Sequence, residues 1–148
     1  MDTNDPAYAV LHATPGTGVY RALRIGAGLS AKSEEAAARG LPGSLFAVQI
    51  LHRGEPIGMG RVIGDGGCFY QVVDIAVLPG HQGKGLGKRI MREIMGYLDA
   101  NVPPSGYVSL IADGKAQKLY ARFGFEPTAP AGVGMAWRPG TGVASRPQ

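Results

Sequence analysis

The stretch VVDIAVLPGHQGKGLGKRIMREIMGYLD, from Val72 to Asp99, decides how the rest of this chain is organised. Its opening residues are apolar and rich in β-branched side chains apart from Asp74, a composition typical of a central strand. Pro79 and Gly80 end that strand, because proline has no N–H for a sheet ladder and glycine permits a turn. The stretch therefore predicts a strand, a sharp break, a glycine-rich turn and an amphipathic helix.

The glycine-rich turn has the character of an anion site. Without a Cβ, backbone N–H groups can point outward, and the first N–H groups of a helix have no internal partner and carry the positive end of its dipole. The turn and its flanking cations are Gly83, Gly85 and Gly87 with Lys84, Lys88 and Arg89. The pattern predicts a cradle for a phosphate or pyrophosphate.

Residue spacing decides which kind of cradle this is. A Walker loop needs Ser or Thr after Gly-Lys, but Arg89 follows Lys88 here, and the Rossmann spacing G-x-G-x-x-G also fails. The pattern that fits is Gln/Arg-x-x-Gly-x-Gly/Ala, read from Gln82 to Gly87 as QGKGLG. Preceded by DIAVLP, it resembles the acetyl-CoA-binding segment of GCN5-related N-acetyltransferases, the GNAT superfamily.

A second segment, AQKLYARFGFEP, resembles the other GNAT signature, A-x-x-x-Tyr-x-x-x-Gly-Phe. The matching positions are Ala116, Tyr120, Gly124 and Phe125. The chain departs from the family at Asp113, where many members carry an Asn that contacts the pantetheine arm. A carboxylate there can still cap the helix.

The resemblance implies an α/β (α+β) GNAT fold: a mixed, mostly antiparallel sheet of six to seven strands with about four helices, in which strands four and five splay apart. The sequence itself predicts an antiparallel meander with turns at Arg53-Gly54 and at Asp65-Gly66-Gly67. The predicted strands are Tyr8 to Leu11, Ser44 to Leu51, Pro56 to Ile63, Cys68 to Val77, Tyr107 to Ala112 and, last, Val133 to Trp137.

Helix-capping residues place the remaining helices. Thr17 is expected to cap a helix from Gly18 to about Ala27, and Ser33 to cap a second helix that ends at Gly40. Asp113 is expected to cap a helix from Gly114 to Phe123. The resemblance assigns the first two helices to the acceptor site, with Tyr20, Arg21, Arg24 and Leu29 as candidate substrate contacts; a solvated helix face is the alternative for each of them.

Length and composition limit the number of domains, the location and the kinds of partner that we expect. At 148 residues we expect one domain over residues 1–138 and a disordered tail over 139–148. We expect neither export nor a membrane span, because no apolar run approaches about 20 residues. The single cysteine, Cys68, points to the cytoplasm. The net charge of +4 is too dispersed to indicate nucleic-acid binding, and no cluster has metal-ligand spacing.

The implied cofactor is acetyl-CoA. Strand backbone would bind its pantetheine amides, the cradle its pyrophosphate, and the second signature its thioester end. The residues implied are Ile75, Ala76, Val77, Gln82, Gly83, Lys84, Gly85, Leu86, Gly87, Lys88, Asp113, Ala116 and Tyr120.

Two residues are candidates for catalysis. Tyr120 is expected to protonate the leaving thiolate, since a phenol (pKa about 10) is still protonated at neutral pH and a thiol has a pKa of about 8.5. A core tyrosine on an amphipathic helix is the alternative. Asp74 is the carboxylate of the central strand; it could hold the acceptor ammonium or bond backbone N–H groups across the sheet, and the second, structural role is favoured. Simple alternation places Asp74 on the face opposite Gln71 and Val73, which cannot act as bases. A water-relayed deprotonation is the default.

The sequence therefore predicts an N-acetyltransferase that transfers acetyl directly from acetyl-CoA to a primary amine of a small molecule. An acetyltransferase acting on protein N-termini or lysines, and a catalytically silent acyl-CoA-binding or sensing module, remain alternatives. A homodimer is expected through the apolar edge of the last strand. His12, His52 and His81 are interpreted as separate, solvated histidines.

Overall fold

The sheet is built from a four-strand antiparallel meander followed by one parallel strand. In the computed structural model, which describes residues 5–140, the strands lie side by side in sequence order. They are β1 (Tyr8–Leu11), β2 (Phe46–His52), β3 (Glu55–Gly64), β4 (Phe69–Val77) and β5 (Tyr107–Leu110). The mixed, mostly antiparallel architecture is confirmed, with five strands in the described residues where six to seven were expected.

The two predicted hairpin turns form as their residues require. Arg53 and Gly54 both have positive φ, 50° and 86°, the combination that a tight two-residue hairpin needs. In the next turn, Oδ1 of Asp65 accepts hydrogen bonds from the backbone N–H groups of Gly67, Cys68 and Phe69 at 2.9, 2.9 and 3.0 Å. A single carboxylate thus organises the entry into β4.

The helices in the described residues are α1 (Thr17–Gly26), α2 (Glu34–Gly40), α3 (Leu86–Asn101) and α4 (Ala116–Ala121). Ser33 caps α2 as predicted, accepting from the N–H of Ala36 at 3.0 Å. The caps predicted for the other two helices are wrong. Thr17 lies inside α1, after Gly16, and α4 begins after Lys115 with no side-chain cap, which leaves Asp113 outside the helix.

The core lies on both faces of the sheet. Helix α3 covers one face with Ile90, Met91 and Ile94, all fully buried, and each such side chain stabilises the fold by about 1.5–3 kcal/mol relative to exposure. Helices α1 and α2 cover the other face through a smaller cluster that includes Tyr20 and Leu23. A five-stranded sheet thus lies between one long helix and two short ones.

The predicted last strand, Val133 to Trp137, is absent. These residues have no regular structure, and Val133, Met135 and Trp137 are 70%, 95% and 71% exposed. The segment approaches the end of β5, where a Cβ on Gly134 would stand 3.0 Å from Cδ1 of Ile111, but it forms no ladder with any strand in residues 5–140. The strand prediction is wrong here, because a strand also needs a neighbouring strand with which to pair.

No helix in residues 5–140 is both long and apolar enough to cross a membrane. Most of the predicted tail, residues 141–148, lies outside the described residues, and the domain boundary at residue 138 remains a prediction.

Candidate active site

Strand β4 loses its parallel partner halfway along its length. Pairing with β5 runs from Phe69↔Tyr107 to Val72↔Leu110, while β4 continues to Val77. A cavity of about 440 Å³ opens there, lined from β3 and β4, the α1–α2 segment and the start of α4. The ladder stops because β5 ends at Leu110, and the expected splay of strands four and five stays a prediction.

A β-bulge at Asp74 changes the face of the sheet to which Asp74 and the later residues of β4 point. Met59 pairs with Ala76 and Arg61 with Val73, so that Asp74 and Ile75 together oppose Gly60. Asp74 adopts φ = 62°, a left-handed conformation that Asp tolerates better than most residues. Simple alternation was therefore wrong here, because the bulge turns Asp74 toward α1, on the same side as Arg61.

Gly60 makes room for this bulge. A Cβ at residue 60 would lie 2.7 Å from Cγ2 of Ile90 and 2.8 Å from Cδ1 of Ile75. Ile75 thus packs toward α3 against the glycine. A glycine inside a strand often marks such a bulge.

The Asp74 carboxylate lies in a closed network of donors. Its side chain is 4% exposed, Oδ1 accepts from Nη1 of Arg24 at 2.5 Å, and Oδ2 accepts from Nε of Arg61 at 2.8 Å. The hydroxyl of Tyr20 donates to Oδ2 at 2.9 Å, and burial followed by the Asp74 charge raises the pKa of that phenol. Asp74 binds side chains rather than the backbone N–H groups of a neighbouring strand.

Further hydrogen bonds fix both arginines. Arg24 donates from Nε to the carbonyl of Ser30 at 2.8 Å and from Nη2 to its Oγ at 3.0 Å. Arg61 donates from Nη1 to Oγ of Ser44 at 2.7 Å, and its guanidinium carbon lies 5.4 Å from the centre of the Tyr20 ring. Of the candidate substrate contacts, Tyr20, Arg24 and Leu29 line the cavity; Arg21 instead donates to the carbonyl of Lys32.

Tyr120 borders the same cavity from α4. Burial, and secondly the negative charge of Asp113, raise the pKa of its hydroxyl, so Tyr120 holds its proton throughout the neutral range. A second cavity of about 590 Å³ lies beyond it, between α4, β5 and residues 125–136, and is mainly apolar. The smaller cavity is the candidate site, because its walls carry the buried Arg24–Asp74–Arg61 network.

The cradle has the geometry expected of an anion site. Gly83 and Gly85 have φ of 77° and 78°, and Gly85 stands directly before α3. Within residues 5–140, no backbone or side-chain acceptor takes the N–H groups of Gly83 to Lys88; the first recorded donor is Arg89, to the carbonyl of Gly85 at 3.1 Å. This row of unpaired donors suits the phosphates of a nucleotide cofactor.

The cradle contacts both the end of β4 and the helix of the second signature. Nε2 of Gln82 donates to the carbonyl of Val77 at 2.9 Å, which fixes the turn on the end of β4. Leu119, next to Tyr120, lies 3.5 Å from where a Cβ on Gly87 would stand. Leu86 and Ala76, at 2% and 5% exposed, have buried side chains and can offer only backbone groups. Ala116 and Asp113 line the cavity beside Tyr120.

A cluster beside the cradle was missed from the sequence. The hydroxyl of Tyr8 lies 2.6 Å from Nδ1 of His81, the rings of His52 and His81 are 4.8 Å apart, and Nζ of Lys84 lies 5.8 Å from the centre of the Tyr8 ring. The interpretation of His52 and His81 as separate histidines is therefore wrong. His12 lies apart from them and contacts Oε1 of Glu93 at 2.6 Å.

Known proteins share this fold. Residues 42–127 match the family model described as an acetyltransferase (GNAT) domain. A Staphylococcus aureus protein of unknown function, named a probable acetyltransferase, is 50% identical with a TM-score of 0.85, over 88% of this chain and 98% of that one. A GNAT-family protein of Streptococcus pneumoniae shares the fold, with a TM-score of 0.74 at 24% identity over 88% and 97%.

Among curated proteins, the histone acetyltransferase TAP1 of Glycine max is 34% identical over 83 residues, which is 56% of this chain and 35% of that protein. The match spans about one third of the length of such relatives. The fold and the family match place the chain in the acyltransferase class. The chain belongs to the GNAT family of acetyltransferases, whose members use acetyl-CoA as co-substrate.

Proposed function

We propose that this protein binds acetyl-CoA and transfers its acetyl group directly to a primary amine of a small molecule. The observation that carries the proposal is the continuity of the site: the unpaired amides from Gly83 to Lys88, the open half of β4 and the Tyr120 hydroxyl follow one another around a single break in the sheet. The nucleotide, the pantetheine arm and the thioester of acetyl-CoA would fit along this site in that order.

Each part of the chain has its own task in this reaction. Acetyl-CoA supplies an activated acyl group as a thioester. The cradle amides, with Lys84, Lys88 or Arg89 nearby, would hold the phosphates. The backbone of Ile75 to Val77, beyond the last ladder pair with β5, can hydrogen-bond the arm and orient the carbonyl. These residues fit the cofactor.

Tyr120 would supply a proton to the leaving sulfur. The amine nitrogen forms the new bond to carbon as the carbon–sulfur bond breaks, the thiolate takes the Tyr120 proton, and water returns the amine's surplus proton to Tyr120. The raised pKa keeps the phenol of Tyr120 protonated before each turnover. Asp74 would serve as a positioning residue, since its oxygens already accept from Arg24, Arg61 and Tyr20.

Two observations favour a small acceptor over a protein. The cavity is about 440 Å³, and its α1-side wall is closed by the Arg24–Asp74–Arg61 network. The name of the Glycine max relative keeps a protein acceptor as the second candidate. A cytoplasmic enzyme is consistent with the exposed free thiol of Cys68.

A panel experiment tests the function. Purified protein would be mixed with acetyl-CoA and either small amines, amino acids, or peptides with free N-termini or lysines, and CoA thiol release would be recorded. Release with small amines supports the proposal, and release with peptides alone supports the protein acceptor. Tight calorimetric binding of CoA with no release from any class would establish a sensing module.

A further inference from the structure

We propose that the acceptor is a primary amine that also carries an anionic group, a carboxylate or a phosphate, and that Arg61 and Lys32 bind that group in the cavity. The proposal rests on the N-acetyltransferase function above and names the substrate class of the same site.

The guanidinium of Arg61 has an unused edge. Nε and Nη1 are taken by Asp74 and Ser44, whereas Nη2 has no hydrogen-bond partner among residues 5–140. The side chain is only 9% exposed. Since no fully buried side-chain nitrogen or oxygen in the described residues lacks a partner, Nη2 must border open space. The open space beside Arg61 is the cavity.

The charges around that edge are unbalanced. Two guanidiniums, those of Arg24 and Arg61, share the single carboxylate of Asp74, which leaves the network cationic. Lys32 adds a further positive charge at the cavity wall. A planar guanidinium with free N–H groups in a largely buried setting suits carboxylate or phosphate oxygens, because both the charge and the fork geometry match.

A negative charge lines the cavity on the far side of β4 from Arg61, in the segment that follows β5. Asp113 lines the cavity next to Tyr120, and its negative charge contributes to the raised pKa of that phenol. An acceptor with an anion at Arg61 would place its ammonium toward Asp113 and Tyr120, at the reacting end. A neutral amine would lose the anchor, and a polycation would meet repulsion from Arg61 and Lys32.

Matched acceptors test the proposal. The pairs are 4-aminobutyrate against butylamine, and phosphoethanolamine against ethanolamine, with 1,4-diaminobutane as the cationic member. We expect kcat/KM by CoA release to be about tenfold or more higher for an anionic member than for its neutral partner, and lowest for the diamine. Calorimetric titration of the same amines into the CoA-bound protein should show the same order, and the two pairs distinguish carboxylate from phosphate.

Two variants locate the anchor. Lys32→Gln, at an exposed site, should lower kcat/KM for the preferred anionic amine several-fold, and by a larger factor than for its neutral partner. Arg61→Lys keeps a charge beside Asp74 but removes Nη2, and should raise KM for the anionic amine more than it lowers kcat. Arg122→Gln, an exposed cation outside the cavity lining, is the charge-matched control.

The outcomes separate the two proposals. Equal or better turnover and binding of the neutral amines or the diamine overturns the anionic acceptor and leaves the N-acetyltransferase function standing. If no amine of any charge is acetylated, the proposed function fails. Calorimetry then still decides the anion site, since equal affinities for charged and neutral members would overturn it.

Discussion

Nε of Arg61 on β3 donates to Oδ2 of Asp74 on β4 at 2.8 Å, across the bulge that separates the pairs Met59↔Ala76 and Arg61↔Val73. The bulge turns the carboxylate toward α1, where Arg24 and Tyr20 complete its hydrogen bonds. An irregularity in the sheet therefore creates the charged wall of the cavity.

Asp74→Asn tests whether this carboxylate is structural. Asparagine tolerates the φ of 62°, so the backbone is preserved while two guanidiniums lose their counter-charge. We expect the free energy of unfolding, from urea titration, to fall by about 3–5 kcal/mol, the range for removing one partner of a buried ion pair.

The control for Asp74→Asn is Glu35→Gln, which breaks the exposed pair with Arg39 and should cost about 0.5 kcal/mol or less. An Asp74→Asn protein of unchanged stability but with no acetyl transfer would instead make Asp74 a catalytic residue.

Gly85→Val tests the cradle. The φ of 78° and the need for phosphate oxygens to approach the amides both exclude a β-branched side chain. Calorimetry should show the Kd for CoA rising by about tenfold or more. Gly66→Val is the matched control, because Gly66 has a φ of 82° and lies in the turn before β4, away from the cradle. Equal CoA affinity in a folded Gly85→Val protein would remove the cradle from the site.

Tyr120→Phe tests the proton donor. The ring packing stays and the hydroxyl is lost, so we expect kcat to fall by about 10²-fold with KM for acetyl-CoA nearly constant. A basic limb of the pH–rate profile due to Tyr120 should disappear. Tyr97→Phe, in a half-buried ring stacked on Phe46 at 5.0 Å, is the control. Full kcat in Tyr120→Phe would leave water as the proton source.

His81→Gln tests the cluster beside the cradle. Burial, followed by the charges of His52 and Lys84, lowers the pKa of His81 in the folded protein. The unfolded chain therefore takes up this proton first, and stability is lost as the pH falls through the ordinary histidine pKa of about 6.5. Urea midpoints should fall less in His81→Gln than in the native protein between about pH 7.5 and pH 5.5. Parallel curves would contradict the assignment.

Met135→Asp tests the expected homodimer. Val133, Met135 and Trp137 form an exposed apolar segment that has no strand partner among the described residues, and we propose that it pairs with a second copy of the chain. Sedimentation at tens of micromolar should show a dimer that Met135→Asp weakens. Ile25→Asp, at a residue 59% exposed on α1, is the control and should leave the dimer intact. A native protein sedimenting as a monomer would end the proposal.

Local patterns were sufficient to predict the meander, the glycine-rich turn and its helix, because each depends on residues close in sequence. The turn at Arg53-Gly54 and the cap at Ser33 need only their own backbone chemistry. The same holds for the cradle, whose donors are successive amides.

The bulge at Asp74, the histidine cluster and the fate of the predicted last strand could not be predicted, because they depend on contacts between segments that are distant in sequence. The bulge at Asp74 requires Gly60 on the neighbouring strand, and glycines at residues 58 and 60 were the available signal. The meeting of His52 with His81 depends on the course of β2, β3 and β4. Val133 to Trp137 had strand periodicity, but periodicity says nothing about a partner.

The conformation of Asp74 also limits which amino acids can occupy that position during evolution. Glutamate would keep the charge but strain a backbone at φ = 62°. Asparagine or glycine would suit the backbone but leave two buried arginines without their counter-charge. Two independent demands, one from φ and one from charge, thus meet at one position. We therefore expect a substitution at residue 74 to be tolerated only together with changes at Arg24, Arg61 and the bulge.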